Sequence, residues 1–148
     1  MDFFGQFKTT EEGYRYQLVL IDVFTRWPEV IPLKDIKTET VAKALLYNVF
    51  CRFGIPLSLH SDCGRSLIST VFSEVMKILG IRKIKTTLLN PKSNGICERF
   101  IKTLGRHLKL MVEKDQSDWP EKAQLFLMDR RAMPHAITGI SSAMLMFG

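Results

Sequence analysis

The sequence holds little that could staple or anchor a fold. Its three cysteines, Cys51, Cys63 and Cys97, are odd in number and far apart, which excludes a disulfide framework and a cysteine-based zinc site. An intracellular, reducing setting is therefore expected. No apolar run is long enough to cross a bilayer, so no membrane association is expected. The start, Met1-Asp2-Phe3-Phe4-Gly5, lacks the basic and apolar stretches of a secretion signal. Without repeats, low-complexity tracts or linkers, residues 1–148 read as one domain. Acidic residues are the minority charge, 15 against 21 Lys and Arg, for a net +6. That balance suits a polyanionic partner, although many basic domains bind none. With 46% hydrophobic residues, the chain can bury one substantial core without staples.

Strand-like and helix-like segments alternate. Tyr16 to Phe24 is apolar and β-branched, and Glu11-Glu12-Gly13 reads as a turn before it. This predicts a hairpin with a first strand near Asp2–Phe7. Glu29 to Leu33 reads as a third strand, with Pro32 arguing for a sheet edge. Thr38 to Phe53 reads as a helix capped by Thr38, its Val41, Leu45, Val49 and Phe53 recurring every four residues, and closed by Gly54. Leu57 to Ser61 reads as a strand ending at Asp62, Leu67 to Leu79 as a helix, and Ile81 to Thr87 as a half-exposed strand. Gly95 to Glu113 reads as a third helix, and Asp118 as the cap of a fourth. Pro134 to Gly148 carries no clear pattern. The order implies an α/β domain, a meander followed by strand–helix crossovers, giving a mixed five-stranded sheet with helices packed on it.

Three carboxylates fall where such a sheet exposes them: Asp2 on the first strand, Asp62 at the end of the fourth, and Glu98 in the first turns of the third helix. Gathered carboxylates repel one another unless cations join them, and hard oxygens favour Mg²⁺ or Mn²⁺. Two such ions can activate a nucleophile and stabilise a leaving oxygen in phosphoryl transfer. Each acid also has an ordinary reading. Asp62-Cys63-Gly64 suits a turn, Glu98 suits a helix start, and Asp2 stands at the chain start.

Thirty-five residues lie between Asp62 and Glu98. His60-Ser61-Asp62-Cys63-Gly64-Arg65 resembles the second-acid motif of retroviral and LTR-retrotransposon integrases, and Asn90 through Phe100 resembles their third-acid motif. Met1-Asp2-Phe3-Phe4-Gly5 looks like the first-acid strand, and Leu20 through Trp27 resembles the following strand of the gypsy type. The likeness covers nearly the whole chain. It implies a ribonuclease H-like fold, DNA 3′-end processing and strand transfer, and two Mg²⁺ or Mn²⁺ ions bound by Asp2, Asp62 and Glu98. Asp22 fits the strand after the first acid and is not assigned metal. The resemblance further implies chromosomal DNA as partner, hence nuclear action, and a homo-oligomer. It also implies flanking modules, so this core is expected to be part of a longer protein; its scattered His and Cys residues hold no zinc.

On the third helix, Lys102 and Lys109 share the Glu98 face at 100° per residue, with Arg106 on its flank. That basic stripe either contacts DNA phosphates or is a solvated face. Phe100, Leu104, Leu108 and Met111 should face the core. Asn94-Gly95 either presents backbone amides to a phosphate or forms a plain loop-to-helix junction. Arg82, Lys83 and Lys85 form a basic strand edge. Some positions depart from the family pattern. Cys63 stands where an amide is usual, Ser66-Leu67 where an aromatic is, Ile101 where Asn is, Asp129-Arg130-Arg131-Ala132 in a usually apolar stretch, and Ser142-Ala143-Met144 at a usually proline-bearing helix start. These changes leave open a catalytically inactive, domesticated or decaying derivative that only binds nucleic acid or a protein partner.

Overall fold

The computed structural model describes residues 1–61, 69–85, 95–112 and 117–148. Strands β1 (Asp2–Gly5), β2 (Tyr16–Ile21) and β3 (Pro28–Leu33) form an antiparallel meander. Asp2 lies opposite Val19, and Val19 opposite Val30. Strands β4 (Ser58–Ser61) and β5 (Arg82–Lys85) pair in parallel. The Met1 nitrogen donates to the His60 carbonyl at 2.6 Å, which sets the start of β1 beside β4 and joins the two pairings. β3 is an edge strand of the meander, as Pro32 foretold.

β2 stops at Ile21 rather than running on to Phe24, because Asp22 turns the chain. One Asp22 carboxylate oxygen accepts the Phe24 and Thr25 backbone N–H groups and the Thr25 hydroxyl. Arg26 completes this turn with φ 61°, a left-handed conformation that costs a non-glycine residue about 1 kcal/mol.

After β3, helix α1 (Thr38–Leu45) runs into a π-helical turn (Leu46–Phe50) and a short α2 (Cys51–Phe53). The wide turn adds a residue, so the next core position after Leu45 falls on buried Phe50 while Val49 is only half-buried. Thr38 is not the cap: Lys37 holds that position without a side-chain bond, and the Thr38 hydroxyl lies 3.0 Å from the Ser69 hydroxyl. Helix α3 (Thr70–Ile78) is capped by Ser69, whose oxygen accepts the Phe72 N–H. α4 (Gly95–Met111) and α5 (Trp119–Ala132) follow. Asp118 makes no capping bond and pairs with Lys122 at 3.4 Å. The unpatterned C-terminal stretch closes through a Pro134–Ser141 bridge into α6 (Ser142–Phe147).

Alternation along β2 divides the core in two. Leu18 and Leu20 pack with Val41, Leu45, Phe72 and Met76 against α1 and α3. Val19 packs on the other face with Cys97, Leu104, Leu108, Phe126 and Leu127 from α4 and α5. Each fully buried leucine contributes about 2 kcal/mol. Met111 is 41% exposed and lies outside this core, contrary to its expected place.

Candidate active site

α4 reaches β1 because Gly105 lacks a side chain. A Cβ there would sit 3.0 Å from the Phe4 ring. The close approach seats Cys97 under the sheet, buried, with its thiol directed at the Val19 carbonyl at 3.6 Å. Val19 is the register partner of Asp2, so the first turn of α4 lies against the strand pair that carries the first acid. Glu98 follows Cys97 directly and is exposed, whereas Asp2 is half-buried. An Asp2 carboxylate oxygen accepts the Phe3 N–H at 2.8 Å, which orients that side chain.

The electrostatics agree with this placement. Burial pushes the Cys97 thiol above its ordinary pKa; the Met1 ammonium opposes that, and the charges of Asp2 and Glu98 push it further up. Asp62 follows the last residue of β4 and lies outside the described residues, as does Asn94. Among the described residues no group of three His, Cys, Asp or Glu side chains is arranged to hold a metal ion. The Asp2 strand and the first turn of α4 that carries Glu98 meet through Val19 and Cys97.

Lys102, Arg106 and Lys109 are all exposed on α4, and Gly95 is its first residue. Asp22 is occupied in holding the β2–β3 turn. His60 is half-buried on β4, where its carbonyl meets Met1. The Lys83 ammonium lies over the Phe72 ring at 5.1 Å, Arg82 is exposed, and the Lys85 side chain lies outside the described residues.

Sequence reasoning missed the anchor beneath this region. Glu29 is buried on β3 and accepts from Arg131 at 2.9 Å, Arg52 at 3.4 Å and the Trp27 indole at 2.9 Å. Arg131 also donates twice to the Pro28 carbonyl and lies 4.3 Å from the Trp27 ring centre. Burial pulls the Arg131 pKa below its ordinary value, and Glu29 pushes back. The Arg130-Arg131 pair, which looked like drift in an apolar stretch, is in part a built ion pair. Only the nearby acid in the EVIP strand could have hinted at it.

The mixed α/β sheet with helices packed on it is a ribonuclease H-like fold. Two solved structures share this fold. The simian T-cell lymphotropic virus intasome in complex with PP2A regulatory subunit B56 gamma superposes with a TM-score of 0.78 at 17% identity, over 99% of this chain and 53% of that one. The HTLV-2 integrase catalytic core domain in complex with magnesium, in a trimeric form, gives 0.72 at 17% identity, over 98% and 95%. The sequence profile described as "Integrase core domain" matches residues 1–91. The chain belongs to the integrase core domain family. Among its relatives are the Gag-Pol polyproteins of feline leukemia virus, 38% identical over 91% of this chain, and of baboon endogenous virus (strain M7), 33% identical over 98%. The Pol polyprotein of radiation murine leukemia virus (strain Kaplan) is 36% identical over 91%. The chain spans about 8% of the two Gag-Pol relatives and 24% of the third.

Proposed function

We propose that this chain is the catalytic core of a retroviral-type integrase, a polynucleotidyl transferase that trims the 3′ ends of element DNA and joins them to a target strand. The observation that carries the reading is the meeting of the Asp2 strand and the first turn of α4 at Val19, which lies opposite Asp2 and accepts from the Cys97 thiol next to Glu98. The retroviral polyproteins among its relatives favour the retroviral over the gypsy-type retrotransposon lineage.

The donor chemistry fits Mg²⁺ or Mn²⁺. Asp2 and Glu98 offer hard oxygens, while the Cys97 thiol between their elements is directed at a backbone carbonyl. Asp2, Asp62 and Glu98 would hold two divalent ions, which supply activation of a water or 3′-hydroxyl and neutralisation of the leaving oxygen. The Asp2 side chain is held by the Phe3 N–H, and α4 fixes Glu98 through the packing of Cys97 and Gly105. Gly95, with Asn94 before it, and the exposed Lys102, Arg106 and Lys109 supply donors and positive charge for the DNA backbone. Chromosomal DNA as target places the reaction in the nucleus, and a homo-oligomer would hold two element ends together.

A second reading, a binding-only derivative, is favoured by the departures at Cys63 and Ile101. Ile101 is a half-buried contact of the α4–α5 core rather than a polar group near the carboxylates. Strand joining separates the two. The chain with its native flanking sequence should join a labelled element-end duplex to target DNA with Mn²⁺ or Mg²⁺, and Asp62→Asn should not. A folded protein that binds DNA and joins nothing would establish the second reading.

A further inference from the structure

Between the β2–β3 turn, the start of α4, the end of α5 and the strap leading into α6 lies a cleft of about 390 Å³. Its charged lining is of one kind. Arg26 comes from the turn, Arg99 from α4 and Arg130 from the last turn of α5, with His135 from the strap; among the described residues no carboxylate lines it. Among the described residues none of the three arginines joins an ion pair, in contrast to Arg131, the immediate neighbour of Arg130. The Arg26 Nε is buried with no hydrogen-bond partner among the described residues, an orphaned donor that a ligand acceptor would satisfy. Arg26 also occupies a left-handed backbone position, to which the Asp22 carboxylate commits the turn. His135 Nδ1 accepts the Ile137 N–H at 3.2 Å, so its neutral ring carries the proton on Nε2 and is a donor. Thr103 adds a hydroxyl to the lining.

Guanidinium groups that converge without a counter-charge match a phosphate, whose oxygens accept the paired N–H groups of each fork. The cleft's α4 arginine, Arg99, stands one residue after Glu98, a little over a quarter turn round the helix, on a face distinct from that of Lys102 and Lys109. We propose that this cleft is a second phosphate-binding site, which grips the backbone of a DNA strand passing beyond the carboxylate edge. The inference rests on the integrase reading, which supplies DNA as the polyanion. It goes beyond that reading by assigning Arg26, Arg99 and Arg130 to strand binding, none of which belongs to the basic stripe of α4.

The test is the salt dependence of duplex DNA binding by the chain, read by fluorescence anisotropy for wild type, the double variant Arg26→Gln/Arg130→Gln, the single variant Arg130→Gln, Arg130→Lys and Lys102→Gln. Each lost phosphate contact lowers the slope of log K against log salt by about 0.9. The double variant should lose about two from the slope and the single about one, while Arg130→Lys keeps the wild-type slope. The single variant, at a helix end, carries the test where the turn variant fails to fold. A wild-type slope in the cleft variants, with a reduced slope in Lys102→Gln, would overturn the cleft and leave the integrase reading standing. No DNA binding by the wild type would overturn both.

Discussion

Two buried or half-buried acids on the meander meet opposite fates. Glu29 on β3 is enclosed, with Arg131, Arg52 and the Trp27 indole converging on it. Asp2 on β1 is half-buried, and exposed Glu98 follows Cys97, whose thiol meets the carbonyl of Val19, the register partner of Asp2. An acid satisfied from three directions fixes geometry, here the docking of α5 on β3. Asp2 and Glu98 are proposed instead to hold a divalent ion. The same contrast separates adjacent arginines: Arg131 is spent on Glu29, whereas Arg130 faces a cleft that no carboxylate among the described residues lines.

The largest expected effect is at the acids proposed to hold metal. Glu98→Gln should reduce strand joining by roughly 10²–10³-fold, because bound metal supplies several kcal/mol of transition-state stabilisation. Its Tm should match wild type, since Glu98 is exposed. Glu29→Ala should do the reverse. Leaving Arg131 half-buried without its partner costs about 3 kcal/mol, read as a fall in the urea midpoint. A smaller effect is expected at the α4–β1 contact. Gly105→Val, forced against Phe4, should destabilise by about 1–3 kcal/mol and lower joining beyond the stability loss, by displacing Glu98 from Asp2. Alkylation of the native protein followed by peptide mapping should label exposed Cys51 and spare Cys97, whose burial and acidic neighbours keep it a thiol.

The smallest effect concerns pH. Burial, then Arg26 and Arg130, lowers the His135 pKa below 6.5. The neutral ring is therefore favoured in the folded state. Its contribution to stability is present above the unfolded pKa and is lost as pH falls through the lower folded value. A proton-titration curve of the His135 ring by NMR should show a midpoint under 6.5, and Arg130→Gln should move it upward.

Local features were legible in the residues. The meander, the stop at Gly54, the third helix from Gly95 and the edge placement of Pro32 all follow from alternation, turn chemistry and proline geometry. Caps were less so. Thr38 and Asp118 have the right side chains for the role, yet neighbouring Ser69 and Lys122 engage them instead. The strand beyond Ile21 was overextended because apolar Val23 and Phe24 look strand-like, while the Asp22 carboxylate holds them in a turn, exposed. The register shift at the π turn left no mark in a four-residue repeat. The acids were singled out by motif, and the structure shows the strand of Asp2 packed against the helix turn of Glu98 through Val19 and Cys97. Glu29 with Arg131, and Arg26 with Arg99 and Arg130, were invisible because their members come from separate elements and meet only in three dimensions.

The central claim is that Asp2 and Glu98 share a divalent ion at the β1–α4 edge. Mn²⁺ titration followed by backbone NMR reads it without relying on catalysis. The account predicts that the amide signals of Phe3, Cys97 and Glu98 broaden first, and that Asp2→Asn with Glu98→Gln abolishes the effect. Broadening that spares these amides, or that persists unchanged in the double variant, would contradict it.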